Sequence, residues 1–377
     1  MKKNPLLRLH DFGQVVWLDY IHRHMIDSGE LKRLIEEDGL CGVTSNPSIF
    51  EKAIVESHDY DDAVKTMALE GKGPGAIYEW LTVKDVGDAA DLFRSTYDQS
   101  GGKDGFVSLE VNPHLAHDTE ATIAEARRLW ADLNRPNVFI KVPATLEGLP
   151  AIRRLTEEGI NVNVTLLFGL PRYRQVAEAY MAGIEDRMSA GRPVERVISV
   201  ASFFLSRIDV LVDALLEEKI KAGGKDAKTA RGLRGQTAIA CAKKAYEIYR
   251  EIVGSERFAG LASRKAKPQR VLWASTSTKN PEYPDLKYVE PLIGPETINT
   301  MPPETLEAYR DHGRPEPRLE QGMEEAERML RDLAAVGIDI DRVTQQLEDE
   351  GVQKFNKPYD KVMKTLTEKV DALKRRG

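Results

Sequence analysis

The sequence has few cysteines and no long apolar run, and each absence excludes a class of protein. Two cysteines, Cys41 and Cys241, give neither a disulfide framework nor a zinc pattern, which is typical of a reducing cytoplasm. No uninterrupted apolar stretch approaches ~18 residues, so we expect no transmembrane helix. The segment from Met1 to Arg8 lacks the apolar core of a signal peptide. We therefore predict a cytoplasmic protein.

Positive net charge and nucleotide-binding motifs are also missing. The net charge of −6 and the pI near 5.8 argue against nucleic acid or a membrane surface as a partner. The chain has no Walker or dinucleotide motif, and its run 274–278 lacks the G-x-S-x-G pattern of serine hydrolases. These absences favour an enzyme or binding protein for small molecules.

Short apolar segments alternate with amphipathic helical stretches along most of the chain. The strand candidates are 14–19, 42–45, 106–111, 138–142, 161–167, 197–202, 271–275 and 297–300, and the helix candidates include 120–133, 149–158, 171–190 and 236–253. Eight strands in this alternation imply parallel pairing and a (β/α)₈ TIM-type barrel, which needs ~250 residues. An open doubly wound sheet is the alternative, but it would usually show a glycine-rich turn after an early strand.

Two additions to the barrel can be recognised. Residues 50–105 contain helical segments between the second and third strands, and from residue 302 onward the pattern is helical only, ending in a helix over 352–375. We predict one domain over 1–377, with 303–377 as a helical extension that packs across the barrel or over its mouth.

One lysine lies inside an apolar strand candidate, Val138-Phe139-Ile140-Lys141-Val142-Pro143. Because strand residues alternate faces, Lys141 shares a face with Phe139. Burial disfavours the ammonium form, and a neutral amine is a nucleophile toward carbonyls, so Schiff-base chemistry is one interpretation. A lysine that extends into water at a strand end is the other.

Other strands carry polar residues on one face, near the ends where barrel active sites form. Asn161, Asn163 and Thr165 alternate with apolar residues in the fifth strand, and Ser108, Glu110 and Asn112 do so in the third. The first strand ends at Asp19, and the second runs into Asn46. Each residue alone would more often be a turn or cap residue, but together they indicate a polar site at the barrel mouth.

The chemistry of this set is that of Schiff-base catalysis. Expelling water from a carbinolamine and cleaving the adjacent C–C bond both need proton carriers, and Glu110 and Asp19 supply two carboxylates. Ser202, Arg207 and Lys279 follow the sixth and seventh strands and could hold a phosphate, although surface charge explains either cation alone. No metal and no cofactor are expected, because the lysine itself acts as the electron sink.

Four blocks carry a family resemblance. The segments Gly42–Phe50, Val107–Val111, Ile140–Thr145 and Gly159–Phe168 are similar to the signature blocks of transaldolase, most closely its longer bacterial branch. The similarity runs from about Trp17 to the segment Gly351–Phe355 and so covers most of the chain.

The resemblance implies a class I mechanism in the non-oxidative pentose phosphate pathway. Lys141 would form a Schiff base with fructose 6-phosphate or sedoheptulose 7-phosphate, and the dihydroxyacetone unit would pass to erythrose 4-phosphate or glyceraldehyde 3-phosphate. Asp19 would be the base in C3–C4 cleavage, and Glu110 with Thr165 would hold a proton-relaying water.

The resemblance also assigns the substrate-binding residues. Asn46 and Asn163 would orient the hydroxyls, and Thr44 in the second-strand block is a further binding candidate. Ser202, Arg207 and Lys279 would hold the phosphate. The partners would be small sugar phosphates, with the protein a monomer or a homodimer.

The sequence differs from the transaldolase pattern at two positions, and two other functions stay open. A lysine, Lys279, stands where many transaldolases have arginine, and Phe203 follows Ser202 where proline is frequent. A lyase resembling fructose-6-phosphate aldolase is one alternative, but those shorter chains carry glutamine and tyrosine in the positions of Glu110 and Phe204. A non-catalytic sugar-phosphate-binding barrel is the other.

Overall fold

The structure, a computed structural model that describes residues 4–374, is built on a closed barrel of eight parallel strands. The strands pair in chain order, and β8 closes the barrel against β1. They are β1 (Gln14–Leu18), β2 (Gly42–Val43), β3 (Phe106–Glu110), β4 (Val138–Pro143), β5 (Val162–Leu167), β6 (Ser199–Phe204), β7 (Arg270–Ala274) and β8 (Thr297–Met301). The predicted (β/α)₈ barrel is confirmed, with all eight strands where the sequence pattern placed them.

Helices fill the connections between the strands. They are α1 (Arg23–Asp27), α2 (Glu30–Asp38), α3 (Pro47–Glu56), α4 (Asp61–Leu69), α5 (Pro74–Leu92), α6 (Arg94–Gln99), α7 (Thr119–Leu133), α8 (Gly148–Glu158), α9 (Leu170–Ser189), α10 (Ser206–Ala222), α11 (Ala227–Leu233), α12 (Thr237–Val253), α13 (Glu256–Ser263), α14 (Pro303–His312), α15 (Met323–Ala335) and α16 (Ile340–Lys374). Three short 3₁₀ turns cover Leu7–Phe12, Pro113–Leu115 and Glu290–Leu292. The helical insertion predicted after the second strand is α3 to α6.

Aromatic side chains fill the lower part of the barrel. The ring of Phe139 lies 4.5 Å from that of Phe106 and 6.0 Å from that of Trp17, measured between centroids. All three residues are buried. Because strand residues alternate faces, Lys141 on β4 also points inward, one layer above Phe139. The polar residues of the barrel interior, including Lys141, therefore lie above this apolar layer.

The last helix, α16, packs against one strand and several helices of the barrel. Helix α16 contacts α3, α4, α5, α10 and β5, and it continues through Pro358. A buried ion pair joins it to α9, with Arg172 Nε 3.0 Å from Glu348 Oε2. The sequence predicts a tail that packs across the barrel or over its mouth, and this stays a prediction. Its predicted last residue, Arg375, lies outside the described residues.

The helices were also compared with what a membrane span requires. Within residues 4–374, none is both long enough and apolar enough to cross a bilayer.

Candidate active site

A cavity of about 380 Å³ opens at the carboxyl ends of the strands. Seven of the residues proposed from the sequence line it: Asp19, Thr44, Asn46, Lys141, Ser202, Arg207 and Lys279. The other three, Glu110, Asn163 and Thr165, are buried in the wall and floor around it. The predicted residues are therefore brought together at one end of the barrel, but only part of the set faces the open space.

Lys141 projects from β4 into the bottom of the cavity. Its side chain is 5% exposed, and Nζ donates a hydrogen bond of 2.8 Å to the carbonyl oxygen of Ser45. The same Nζ lies 3.3 Å from Oε2 of Glu110. Glu110 and Lys141 are register partners on β3 and β4, which explains why two side chains of one parity meet. The amine is thus held in place and still faces the cavity.

Glu110 lies behind the lysine, with a side chain that is 4% exposed. Neither carboxylate oxygen has a hydrogen-bond partner in the described chain, so its contact with Lys141 is an ion pair without hydrogen-bonding alignment. Burial raises the pKa of Glu110 to about 7, and the charge of Lys141 opposes that shift. A carboxyl group with this pKa can both give and accept a proton near neutral pH.

Asp19 follows β1 on the opposite side of the cavity. Its Oδ1 accepts a hydrogen bond of 2.7 Å from the hydroxyl of Thr44. The Thr44 hydroxyl also lies 2.7 Å from that of Thr300 at the end of β8. Burial raises the pKa of Asp19, while Lys141 and the Thr44 hydrogen bond lower it. The Thr44 hydroxyl therefore orients the second carboxylate of the site.

A buried hydrogen-bonded row connects β3, β5 and β6 beneath the cavity. Asn163 Nδ2 donates to Ser108 Oγ at 3.1 Å, and Ser202 Oγ donates to Asn163 Oδ1 at 2.6 Å. Ser202 belongs to β6, which continues to Phe204, so the prediction that this serine follows the strand was wrong. Only Ser202 of this row reaches the open cavity.

Three other residues of the predicted polar set have individual surroundings. Asn46 lines the cavity and also caps α3, accepting a hydrogen bond from the Ile49 amide at 3.1 Å. Thr165 is fully buried, and its hydroxyl has no partner in the described chain. Asn161 does not belong to the site, because its amide group bonds the backbone of Pro136 and Val138 at the other end of the barrel.

Arg207, at the start of α10, places its guanidinium group in the wall of the cavity. Its guanidinium carbon lies 5.7 Å from the ring of Phe204 and 5.9 Å from that of Phe355. Within residues 4–374 it forms no ion pair, and Nη1 is buried without a hydrogen-bond partner. Burial lowers its pKa. An unpaired guanidinium facing a cavity is a site for an anion such as phosphate.

Lys279 adds a second positive charge to this side of the cavity. Its Nζ donates to Ser277 Oγ at 2.6 Å. Ser275, just after β7, has a left-handed backbone with φ 55°, which is uncommon for a residue with a side chain. Such conformations cost about 1–3 kcal/mol and concentrate at functional sites.

The sequence argument missed several residues that line the cavity. They are Tyr20, Ser48, Ile49, Lys52, Phe204, Ala274, Ser275, Thr276, Ser277, Thr300, Pro302, Pro303, Glu304 and Phe355. Phe355 had a signal, because it lies in the C-terminal block noted above. Ser48 and Ile49 lie in the Gly42–Phe50 block. The remaining residues lie near strand ends or on α3 without a pattern of their own, so only the fold places them here.

Comparison with known proteins agrees with this geometry. The sequence model of the Transaldolase/Fructose-6-phosphate aldolase family matches residues 16–366. The chain belongs to this family. It is 45% identical to a transaldolase of Trichodesmium erythraeum, over 99% of both chains.

Two further relatives of the family are equally informative. A transaldolase of Frankia alni is 47% identical over 97% of this chain and 98% of its own. A transaldolase of Thiobacillus denitrificans is 47% identical over 93% of this chain and 96% of its own. The prediction of a transaldolase-type enzyme from the sequence is confirmed.

Proposed function

We propose that the protein moves a dihydroxyacetone unit from a ketose phosphate to an aldose phosphate through a Schiff base at Lys141. Fructose 6-phosphate or sedoheptulose 7-phosphate would be the donor, and glyceraldehyde 3-phosphate or erythrose 4-phosphate the acceptor. The observation that carries the proposal is the placement of Lys141 Nζ, 3.3 Å from Glu110, in a cavity shared with Asp19 and the Arg207 guanidinium.

The first step is imine formation. Transfer of one proton from the Lys141 ammonium to the Glu110 carboxylate leaves a neutral amine. This amine attacks the C2 carbonyl of the ketose, and the resulting carbinolamine loses water to give a positively charged iminium. Glu110 protonates the departing hydroxyl, so the carboxyl loses the proton that the water carries away. Its pKa of about 7 suits both this transfer and its reverse during hydrolysis. Thr165 would help to hold the relaying water.

The second step is C–C cleavage. Asp19 takes the proton of the C4 hydroxyl, the C3–C4 bond breaks, and its electron pair moves into the iminium to give a neutral enamine. The aldose phosphate leaves. The acceptor aldehyde then binds, the enamine attacks it, and Asp19 returns the proton to the new hydroxyl.

The remaining polar groups hold the substrate. Ser202 and Asn46 line the cavity and would bind sugar hydroxyls, with Asn163 aligning Ser202 from below. Thr44 would act through Asp19, whose carboxylate it orients. Arg207 would bind the phosphate, since burial without an anionic partner leaves its charge uncompensated. Lys279 would add a weaker second contact.

A coupled assay distinguishes transferase from lyase. Fructose 6-phosphate is supplied with and without erythrose 4-phosphate or glyceraldehyde 3-phosphate, and free dihydroxyacetone is measured beside the new ketose phosphate. Turnover that requires the acceptor is expected. Release of dihydroxyacetone at a similar rate without acceptor would indicate a fructose-6-phosphate aldolase instead, and the absence of both products would indicate a non-catalytic barrel.

The cytoplasmic location and the choice between monomer and homodimer stay predictions from the sequence. We propose both on the sequence alone.

A further inference from the structure

A second, smaller cavity lies on the other side of Glu110 from the substrate cavity. It has a volume of about 40 Å³ and is bounded by β3 and helices α3, α5, α7 and α16; we call it the rear cavity. Its lining residues include Glu110, Tyr78, Glu125, Asn112 and Tyr359. A water needs on the order of 10–15 Å³ of such volume, so the rear cavity has room for two or three.

Glu110 borders the rear cavity and not the substrate cavity. Both of its carboxylate oxygens are buried, and in the described chain neither has a hydrogen-bond partner. Buried carboxylate oxygens are normally bonded to protein or to water. The rear cavity, which Glu110 lines, therefore offers space for such a water beside the substrate cavity, and Asn46 lines both cavities.

Tyr78 on α5 connects Glu110 to the outer part of the rear cavity. Burial raises the pKa of Tyr78, and Tyr359 and the carboxylates of Glu110 and Glu125 raise it further, so the hydroxyl stays protonated and can donate. Its ring packs edge-on against Phe50 and Tyr359, with centroid distances of 6.3 and 5.3 Å. The ring is thus fixed while the hydroxyl group faces water-sized space.

Glu125 on α7 lines the rear cavity and is partly exposed to solvent. Its carboxylate accepts a hydrogen bond from the Asn112 amide, and it lies 3.7 Å from Arg128 with 18% of the side chain exposed. Glu79, which pairs with Arg128, stands beside it. The charged groups around Glu110 itself are Lys141, Asp19 and Arg207. The rear cavity is therefore lined by polar groups that range from the buried Glu110 to the partly exposed Glu125.

We propose that water reaches and leaves the Lys141–Glu110 pair through the rear cavity, with Tyr78 and Glu125 as positioning residues that hold it there. Imine formation converts the amine, the carbonyl and one proton from Glu110 into an iminium and one water. Hydrolysis consumes one water and returns the proton. While a sugar phosphate fills the substrate cavity, this route lets that water exchange with solvent. The inference depends on the Schiff-base function proposed above.

Oxygen exchange tests the route directly. Fructose 6-phosphate is incubated with enzyme in H₂¹⁸O, and the gain of label at C2 is followed by mass spectrometry, with the enzyme-free rate subtracted. Tyr78→Phe removes only the hydroxyl and keeps the ring packing, and Glu125→Gln removes only the charge. We expect exchange to fall about tenfold in Tyr78→Phe and less in Glu125→Gln. KM for fructose 6-phosphate should be unchanged.

Tyr173→Phe is the control, since it also removes one tyrosine hydroxyl from the interior but Tyr173 lines neither cavity. Its exchange rate should equal that of the native enzyme. The rate of acceptor addition to the preformed enamine, a step without water, should also be native in Tyr78→Phe. A fall in that rate equal to the fall in exchange would assign Tyr78 a structural role and overturn the proposal.

Two further outcomes distinguish failure of the rear water route from failure of the Schiff-base function. Native exchange rates in both Tyr78→Phe and Glu125→Gln, with Lys141 still trapped by borohydride, would overturn the rear route and leave the Schiff-base function intact. Failure of the native enzyme to form a trapped adduct at Lys141 would overturn the function and, with it, this inference.

Discussion

Lys141 Nζ lies 3.3 Å from Glu110 Oε2, and both side chains are at most 5% exposed. Such a pair carries a large desolvation cost, which a structural ion pair would offset with further hydrogen bonds. Here the carboxylate has none in the described chain, and burial raises its pKa to about 7. The pair is therefore arranged for proton transfer rather than for stability.

Glu110→Gln should remove the ionisation nearest to neutral pH. We expect kcat to fall by roughly 10²-fold or more, as for loss of a general acid–base group. The pH profile of kcat should lose its limb near pH 7, because the raised pKa of Glu110 is the source of that limb. A profile that keeps the limb at the same pH would show that another group titrates there.

The same substitution should change how stability depends on pH. Since the pKa of Glu110 is raised from 4.5 to about 7 by folding, its favourable contribution is present below pH 4.5 and is lost as pH rises through 7. Glu110→Gln should therefore gain stability relative to the native protein between pH 5 and pH 8, by on the order of 1–3 kcal/mol. Urea unfolding at both pH values measures this, and an equal difference at both would contradict it.

Asp19→Asn should separate imine formation from C–C cleavage. The variant keeps Lys141 and Glu110, so borohydride should still trap the donor, while transfer falls by ~10²–10⁴-fold for loss of the base. Trapping followed by intact-protein mass spectrometry and the coupled assay measure the two steps. Loss of trapping together with transfer would mean that Asp19 acts earlier than cleavage.

Thr44→Val tests the orientation of Asp19. Losing the 2.7 Å hydrogen bond should raise the pKa of Asp19 further, because that bond stabilises the ionised carboxylate. The acid limb of the kcat profile should move to higher pH, and kcat at neutral pH should fall roughly tenfold, in line with a hydrogen bond to a charged group. Thr300→Val is the control, since it leaves the Thr44–Asp19 contact in place, and an effect as large as that of Thr44→Val would argue for packing.

Arg207→Met should weaken the binding of donors that carry phosphate. We expect kcat/KM for fructose 6-phosphate to fall roughly 10²-fold and that for fructose to change little, because only the phosphate loses its partner. Lys279→Ala should show a smaller effect in the same direction. An equal loss for both sugars would show that neither cation binds phosphate.

Arg172→Met gives the stability comparison. Arg172 is buried and paired with Glu348, whereas Arg207 is partly buried and forms no ion pair within residues 4–374. Breaking this buried pair should lower the free energy of unfolding by ~3–5 kcal/mol, whereas removing the unpaired Arg207 charge should leave it unchanged or higher. Chemical denaturation of the two variants beside the native protein checks the contrast.

The periodicity of the sequence was sufficient to predict the barrel and to identify the residues that face its interior. Each predicted strand exists because apolar residues recur where buried parallel strands need them, and Lys141 was correctly placed on the same face as Phe139. Alternation cannot say how far up the barrel an inward residue lies. Asn161, at the lower end, and Asn163, beneath the cavity, therefore could not be separated from the residues that face the open space.

The sequence could not predict contacts between segments that lie far apart in the chain. The rear cavity behind Glu110 depends on the packing of α5 against β3 and of α7 against β4. Likewise, Phe355 meets Arg207 only because α16 packs against the barrel. Neither arrangement leaves a local pattern, since each depends on helices remote in the chain.

The central claim is that Lys141 is the residue that bonds covalently to the donor. Native enzyme is incubated with fructose 6-phosphate and borohydride, digested, and mapped by mass spectrometry, with Lys141→Met as the control. The account predicts one adduct, with the mass of a reduced dihydroxyacetone or ketose phosphate imine, on Lys141 and none in the variant, whose activity should be lower by at least ~10⁴-fold. An adduct on another lysine with Lys141 unlabelled, or full activity in Lys141→Met, would contradict it.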